Sequence, residues 1–249
     1  MPGMKNKNDF RVVVASTVGP YHKAKGMGGQ DCFAFMQNNS RVVAIVSDGA
    51  GSAKYGKIGA KCVCEKVCEI LMKADFKNMR QNIIDAIDVT RDELMIHRLN
   101  KTKSEAGLID FSATLVGAVY DKGKGIFFHI GDGAGVAFLK SKNVVISEPE
   151  NGIFASETFF YTMDDWKDSL RFTNFENAHT IFLMSDGVTN FSFSRDYQTI
   201  EKSFLQPIAD YLNKETCKAK ALRALTNTLN NPQALRLNSD DKTLLWIKM

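Results

Sequence analysis

Three apolar stretches of this chain end in an aspartate followed by a glycine. An apolar strand gives such a carboxylate a rigid base, and the glycine permits a sharp turn and a close backbone approach to an ion. The carbonyl oxygen of the glycine is itself a hard ligand of the kind that Mg²⁺ and Ca²⁺ prefer. The pattern therefore predicts an ion site at the ends of strands. The three pairs are Asp48-Gly49, Asp132-Gly133 and Asp186-Gly187.

Two further acidic positions extend the set. Asp31 begins an apolar run, and Asp240-Asp241 stands just before the last apolar run of the chain. Carboxylates that meet without lysine or arginine partners repel one another, and a multivalent cation relieves that repulsion. Ligation by oxygen alone favours Mg²⁺ or Mn²⁺ over zinc. The alternative is that each Asp-Gly pair is only a turn, because both residues dominate turns, but three strands with the same ending are less easily explained that way.

The elements that would position these residues come in blocks of strands and blocks of helices. Hairpin-length connections at residues 38–40 and 121–124 favour antiparallel pairing, and residues 147–175 are expected to be rich in loops. We therefore expect one α+β layered domain over residues 1–249. Strands are predicted at 11–16, 32–36, 41–47, 112–120, 125–130, 134–139, 180–184 and 243–248, and helices at 57–73, 79–99 and, as a pair, within 196–229.

Composition limits the class of protein. The 249 residues are 44% hydrophobic and 24% charged, an ordinary globular balance in a chain long enough to bury a large core. The net charge of +4 is spread among acids rather than massed in a stripe, so no nucleic-acid partner is expected. No apolar run approaches the ~18 residues that span a bilayer, and the polar N-terminus predicts no signal peptide. The five cysteines are expected to be reduced thiols, which predicts a cytoplasmic protein.

Six short stretches follow one another in an order that is typical of a known family. They are Gly29-Gln30-Asp31, SDGAGSAK at 47–54, FSAT at 111–114, HIGD at 129–132, MSDG at 184–187 and DDKTLL at 240–245. Each stretch alone is a weak signal, but together they are a strong one, because they are distributed in the same order along almost the whole chain. The chain resembles the metal-dependent type 2C protein Ser/Thr phosphatases, particularly their compact bacterial members.

The resemblance implies a β-sandwich of two antiparallel sheets flanked by helices, a four-layer αββα arrangement with two Mg²⁺ or Mn²⁺ ions at one edge. In this arrangement Asp48 would bridge the two ions, and the carbonyl of Gly49 would be a backbone ligand. Asp132 matches a position that helps to hold a third, weaker metal in some members. The carboxylate ligands would be Asp31, Asp48, Asp186 and Asp240.

The implied activity is hydrolysis of phosphoserine and phosphothreonine in proteins, by a water activated between the two metal ions. The implied partners are a phosphorylated protein substrate and a cognate Ser/Thr kinase or its targets, and a monomer is expected. The alternative is a catalytically weak or inactive regulatory module on the same fold. Gly26, Ala50 and Asn190 favour this alternative, because they stand where many family members have polar residues.

Some residues are candidates for the roles that these departures leave open. His22 precedes the glycine-rich segment, and we expect it to protonate the leaving oxygen or to orient a phosphate. Lys23 and Lys25 are substitutes for the phosphate-binding arginine of the family, whose position here is Gly26. Trp166 is expected in a surface loop over the site.

Two glycine-rich stretches imitate nucleotide sites. Residues 51–57 fit most of a P-loop between a strand and a helix, but the next residue is Ile58 rather than the Ser or Thr that coordinates Mg²⁺. Residues 131–135 lack the third glycine of a dinucleotide fingerprint at its proper place. A P-loop nucleotide enzyme is therefore the third hypothesis, behind the phosphatase and the regulatory module.

Overall fold

The computed structural model describes residues 10–101, 107–150, 158–194 and 199–249. Within these ranges the strands form two five-stranded antiparallel sheets, of order β1-β10-β9-β6-β7 and β2-β3-β4-β5-β8. The strands are β1 (Arg11–Thr17), β2 (Cys32–Gln37), β3 (Arg41–Ser47), β4 (Leu115–Asp121), β5 (Lys124–Ile130), β6 (Ala134–Leu139), β7 (Val144–Ser147), β8 (Arg171–Glu176), β9 (Ala178–Met184) and β10 (Lys242–Lys248).

Helices cover the outer faces of the two sheets. The helices are α1 (Pro20–Ala24), α2 (Gly56–Lys73), α3 (Met79–Lys101), α4 (Asp186–Ser192), α5 (Lys202–Lys214), α6 (Lys218–Leu229) and α7 (Pro232–Leu237), and of these α2, α3, α5 and α6 pack on the sheet faces. Short 3₁₀ turns at Phe76–Asn78 and Leu108–Phe111 precede α3 and β4. Within the described ranges, no helix is both long and apolar enough to cross a bilayer.

Alternation along the strands divides the core into three layers. On β3, Val42, Ala44 and Val46 face the other sheet, where Leu183 and Leu245 belong to the same buried cluster. The intervening β3 residues pack toward α2 and α3. On the far side, residues of β9 and β10 pack with α5 and α6. Because successive side chains of a strand point to opposite faces, β3 has to be apolar on both, and the result is the αββα sandwich that the sequence predicted.

The structure confirms most of the predicted elements and corrects one region. The strands at 41–47 and 134–139 have the predicted bounds. Residues 147–175, predicted to be rich in loops, also contain the last residue of β7 and most of β8. β8 is an edge strand that exposes part of its length, so its sequence lacks the continuous apolar run of the central strands.

The prediction for Trp166 is wrong. This side chain is only 2% exposed and belongs to the core between the second sheet and helices α2 and α3. Arg91 and Lys167 lie over its ring, at 5.9 and 5.3 Å from the centroid, and cover it from solvent. A single aromatic residue among charged neighbours gives no periodic pattern, so the sequence did not indicate that it is buried.

Candidate metal centre

The strand register brings the predicted aspartates to one end of the sandwich. Cys32 pairs with Ser47, which places Asp31 beside Asp48. On the other sheet, Met184 at the end of β9 pairs with both Ala134 and Leu244. The residues just beyond these pairs are Asp132, Asp186 and the Asp240-Asp241 dipeptide, so strand ends far apart in sequence meet at one place.

A pocket of about 360 Å³ lies at this end, and we call it the acidic pocket. Its floor carries four carboxylates, and no lysine or arginine lines it in the described part of the chain. One wall is the turn after β3, and Thr158 and Phe160 contribute another. The lining residues are Asp48, Ala50, Gly51, Ser52, Thr114, Asp132, Thr158, Phe160, Asp186 and Asp240.

Asp31 is the fifth member of the group, and it is buried behind the pocket. Its Oδ2 atom accepts a hydrogen bond from the Ser185 hydroxyl at 2.7 Å. Thr114 fixes Asp48 from the neighbouring strand: its amide donates to the Asp48 carbonyl at 2.9 Å, and its hydroxyl accepts from the Asp48 amide at 3.0 Å. The Thr158 hydroxyl donates to Oδ2 of Asp132 at 2.8 Å. Ser185 and Thr114 lie inside the family motifs, so the sequence pointed to them. Thr158 lies outside those motifs and had no sequence signal.

Burial and mutual repulsion disfavour the charged forms of these acids. Burial raises the pKa of Asp48 well above its usual range, and the charges of Asp31 and Asp186 raise it further. Burial does the same for Asp186, with contributions from Asp132 and Asp240. Burial also raises the pKa of Asp31, to about 6, although hydrogen bonds from Thr243 and Ser185 oppose the shift. Such a group of carboxylates either retains protons or, when ionised, is stabilised by a compensating cation.

Two of the carboxylate oxygens lack a protein partner. Oδ1 of Asp31 and Oδ1 of Asp186 are both buried and accept no hydrogen bond from the described residues. Leaving a buried charged acceptor unpaired costs more than leaving a neutral one, because the lost hydration is not replaced. Hard oxygen donors in this state fit Mg²⁺ or Mn²⁺, so the residues present suit the metal that the sequence predicted.

Asp240 and Asp241 have different surroundings, a difference that the sequence alone does not show. Asp240 lines the acidic pocket, whereas Asp241 is 1% exposed and accepts hydrogen bonds from the amides of Gly19 at 2.7 Å and Gln30 at 2.5 Å. Burial alone would raise the pKa of Asp241, but the bonds from Gly19, His22 and Gln30 outweigh it and lower the pKa. Asp241 is therefore a brace for residues 19–30, whereas the Asp240 carboxylate faces the pocket, with Oδ1 accepting from the Asp241 amide at 2.8 Å.

His22 lies behind the pocket rather than in it. Its ring is 3% exposed, and Nδ1 lies 3.0 Å from Oδ1 of Asp241. Ligand atoms of His22, Asp240 and Asp241 lie within 4.8 Å of one another, which makes a second group that could hold a cation. Both oxygens of Asp241 already accept from the protein, so this group is a poorer cation site than the acidic pocket.

The turn after β3 is held by close backbone packing and by Gln30. A Cβ on Gly49 would lie 2.4 Å from the carbonyl carbon of Gly56, so only glycine allows the turn to close against the start of α2. With its amide nitrogen turned toward the loop, Gln30 donates to the carbonyl oxygens of Gly49 at 2.6 Å and Ala50 at 2.9 Å. The carbonyl of Gly49 thus has one protein partner, and its role as a metal ligand stays a prediction.

A buried lysine supports the Asp240 loop; it lies inside the DDKTLL stretch, but its residue type did not predict that it is buried. Lys242 is fully buried, and its Nζ donates to the carbonyl oxygens of Asn238 at 2.7 Å and Asp240 at 2.8 Å. Burial lowers the pKa of Lys242 even though Asp240 and Asp241 favour its charged form. Its ammonium group binds the backbone of the loop, and so it leaves the carboxylate of Asp240 available in the pocket.

Comparison with known proteins identifies relatives of this chain. The family model for protein phosphatase 2C matches residues 18–230. Among curated proteins, no match was found. The fold is similar to that of several solved structures, all of them under 25% identical, so the likeness concerns the fold alone.

Three of these structures illustrate the likeness. The serine/threonine phosphatase Stp1 from Staphylococcus aureus is 14% identical, with a TM-score of 0.66 over 100% of this chain and 98% of that one. The serine/threonine phosphatase of S. agalactiae is 14% identical, with a TM-score of 0.67 over 97% and 100%. The catalytic domain of the serine threonine protein phosphatase PstP, solved with two manganese ions, is 13% identical, with a TM-score of 0.65 over 96% and 97%.

Proposed function

The chain belongs to the protein phosphatase 2C family, and from this premise we propose that it hydrolyses phosphoserine and phosphothreonine in proteins with two bound Mg²⁺ or Mn²⁺ ions. The observation that carries the proposal is the acidic pocket, where carboxylates from distant parts of the chain meet. The two manganese ions in the PstP structure support the choice of metal. We further propose that residues 1–249 form one catalytic domain that acts as a cytoplasmic monomer on the protein targets of a Ser/Thr kinase.

Asp31, Asp48, Asp186 and Asp240 would hold the metal pair, with the Gly49 carbonyl as an additional ligand. When bound, such ions lower the pKa of a coordinated water and offset charge on phosphoryl oxygens. The protein's part is to present several carboxylate oxygens at fixed positions. Ser185 and Thr114 do so by fixing Asp31 and the backbone of Asp48, respectively.

Asp132 would hold a third, weaker ion together with its partner Thr158. The pocket places Asp132 beside the other acids, and the Thr158 hydroxyl fixes one of its oxygens. Asn190, four residues after Asp186, is exposed on α4, and its amide is a poorer ligand than a carboxylate. We therefore expect this third position to bind more weakly than the pair.

For His22, the contacts support a positioning role. Its ring faces Asp241, and Asp241 in turn fixes the amides of Gly19 and Gln30 beside the pocket. A buried imidazole in this place would orient the brace. The proton-transfer role suggested by the sequence stays a prediction, and a His22→Gln variant with an unchanged pH profile of kcat would argue against it.

The proposed function predicts metal-dependent turnover of a generic aryl phosphate. Purified protein should hydrolyse it with Mn²⁺ and stop when a chelator is added. Asp48→Asn should reduce kcat/KM by at least about 100-fold, because even the loss of an outer-shell partner costs about 10–100-fold at metal sites. Asp210→Asn is the matched control, since Asp210 is exposed on α5, where it accepts from Gln206.

The same assay separates the proposal from the two alternatives. Full activity in Asp48→Asn would overturn the metal-dependent phosphatase. Tight binding of two ions without turnover of the aryl phosphate or of any phosphopeptide would favour the regulatory module. A P-loop enzyme would need ATP or GTP binding that Lys57→Ala abolishes, and Gly51 and Ser52 of that stretch face the acidic pocket, an unfavourable place for phosphates without metal.

A further inference from the structure

We propose that a rim of lysines around the acidic pocket binds acidic residues next to the phosphorylated residue of the substrate. The inference rests on the proposed function and names the class of protein substrate: phosphosites with aspartate or glutamate close by. The rim consists of two loops, residues 19–30 and residues 49–57, and we call their lysines the lysine rim. Its members are Lys23, Lys25, Lys54 and Lys57.

The first loop is fastened to the strand end that carries Asp240. The Tyr21 amide donates to the Ser239 carbonyl at 3.1 Å. A Cβ on Gly19 would lie 2.3 Å from the carbonyl group of Asp240, so the backbones of the two segments are in direct contact. With the bonds from Gly19 and Gln30 to Asp241, both ends of the loop are held beside the pocket.

This loop is internally ordered, so its lysines have defined positions. The His22 carbonyl accepts from the amides of Lys25 at 3.2 Å and Met27 at 2.9 Å. Lys23 and Lys25 are both exposed, and the Lys25 ammonium lies 4.1 Å from the centroid of the Tyr21 ring. A cation on a short, braced turn loses less conformational freedom on binding a partner than one on a mobile tail.

The second loop forms part of the pocket wall itself. Ala50, Gly51 and Ser52 line the acidic pocket, and Lys54 and Lys57 follow them on the exposed side. The two loops are joined, since the Lys57 ammonium donates to the Gly29 carbonyl and the side-chain amide nitrogen of Gln30 donates to the Gly49 and Ala50 carbonyls. The lysine rim is therefore one continuous surface.

The charges of the rim and the pocket floor are opposite in sign. Neither rim loop contains an aspartate or a glutamate. The floor suits metal ions and, through them, a phosphoryl group, whereas the rim suits carboxylates on either side of that group. The net charge of +4 is mild, so the local arrangement of charge carries the inference.

The test compares two phosphopeptides that differ only beside a central phosphothreonine. One carries glutamates on both sides, and the other carries glutamines. At low ionic strength and with Mn²⁺ present, we expect the wild type to prefer the acidic peptide by about 5- to 10-fold in kcat/KM, since each exposed ion pair contributes up to about fivefold. The preference should fall as salt is added, because exposed charges are screened.

Variants assign the preference to the rim. Lys23→Gln with Lys54→Gln should bring the ratio of the two kcat/KM values close to about two, and Lys23→Arg with Lys54→Arg should keep it near the wild-type value. The matched control replaces Lys77 and Lys140, which are exposed near the opposite end of the sandwich, with glutamine and should leave the ratio unchanged.

The outcomes distinguish this inference from the function on which it rests. Equal rates on the two peptides, with aryl phosphate turnover intact, would overturn the lysine rim and leave the phosphatase standing. A preference that the glutamine variant retains would also overturn it. Absence of turnover on the aryl phosphate and on both peptides would overturn the proposed function, and the inference with it.

Discussion

At the scale of single residues, the acidic pocket is unfavourable in the absence of a cation. Asp31, Asp48 and Asp186 are buried acids with raised pKa values, and two of their oxygens have no donor among the residues that the structure describes. Such groups retain protons in the folded state at a pH where the unfolded chain has released them. The protonation of the pocket is therefore linked both to stability and to metal binding.

This linkage predicts how the stability of the metal-free protein depends on pH. Between the unfolded pKa of about 3.9 and the folded value of about 6 for Asp31, the native state binds more protons than the unfolded chain, so stability falls as pH rises. The loss is about 1.4 kcal/mol per pH unit for each retained proton. The pKa values of Asp48 and Asp186 are also raised by burial, so these two acids act in the same direction.

Thermal unfolding with a chelator present measures this effect. The protein should melt at a lower temperature at about pH 7.5 than at about pH 5.5, and saturating Mn²⁺ should remove the difference. Asp31→Asn should flatten the dependence, whereas Asp210→Asn should not. If the stability of the metal-free protein instead rose with pH over this range, the buried acids of the pocket would not be the groups that dominate its pH dependence.

Removal of the charge should have a different effect at each of the neighbouring acids Asp240 and Asp241. Asp240→Asn should weaken metal binding and turnover without lowering the stability of the metal-free protein, because its carboxylate faces the pocket. Asp241→Asn should cost about 1–3 kcal/mol of stability, because it loses a charged acceptor for two buried amides. Urea unfolding and Mn²⁺ titration of both variants check this, and equal effects would show that the two roles are not separate.

The sequence could identify the acids but not all of their roles. Asp31, Asp48, Asp132 and Asp186 were found from their places next to apolar strands and from the family motifs, and the structure brings them together. For the Asp240-Asp241 dipeptide, the choice of Asp240 came from the resemblance. The roles of the two acids differ because the backbone amides of Gly19 and Gln30 donate to Asp241. These amides lie more than 200 positions away in the chain, so the sequence does not indicate the contact.

At the scale of elements, the site depends on how α4 starts. The helix begins at Asp186 itself, so the third Asp-Gly pair is a helix start rather than a hairpin turn. A Cβ on Gly187 would lie 1.8 Å from the carbonyl oxygen of Asp241, which shows how tightly the helix packs against the segment before β10. The position of the Asp186 carboxylate is set by this contact.

Gly187→Ala should therefore displace α4 and weaken the site. We expect a loss of about 1–3 kcal/mol, typical of overpacking, together with reduced Mn²⁺ affinity. Gly107→Ala is the control, since a Cβ there meets nothing within 4 Å. Chemical denaturation and metal titration of the two variants give the comparison, and a Gly187→Ala protein with wild-type stability and affinity would show that the packing is looser than described.

Elements with buried faces on both sides were the easiest to predict. β3 and β6 have the predicted bounds because most of their residues are apolar and nearly all are buried. β8 and α1 escaped prediction for a different reason. β8 is a partly exposed edge strand, and α1 is a five-residue turn stabilised by its contacts with residues 239–241 rather than by its own pattern.

At the scale of the whole molecule, the acidic pocket exists only when both sheets are assembled. Asp31 and Asp48 belong to one sheet, and Asp132, Asp186 and Asp240 follow or precede strands that reach the same end. Metal bound there should stabilise the native state but not the unfolded chain, since the ligands are dispersed along the sequence. Metal binding should consequently be visible as thermal stabilisation of the entire domain.

At a concentration of 100 times Kd, a single bound Mn²⁺ should add about 2.7 kcal/mol. For a chain of this size, each kcal/mol raises Tm by about 2–4 °C, so the expected shift is about 5–10 °C. Asp48→Asn should lose most of the shift, and Asp210→Asn should keep it. Calorimetry with and without Mn²⁺ provides the measurement, and an equal shift in Asp48→Asn would mean that the ion binds elsewhere.

The most direct test of the central claim is anomalous diffraction at the manganese edge from crystals grown with Mn²⁺. We expect two strong peaks in the acidic pocket, each within about 2.0–2.4 Å of carboxylate oxygens from the set Asp31, Asp48, Asp186 and Asp240. An empty pocket, or a single ion held only by His22, Asp240 and Asp241, would contradict it.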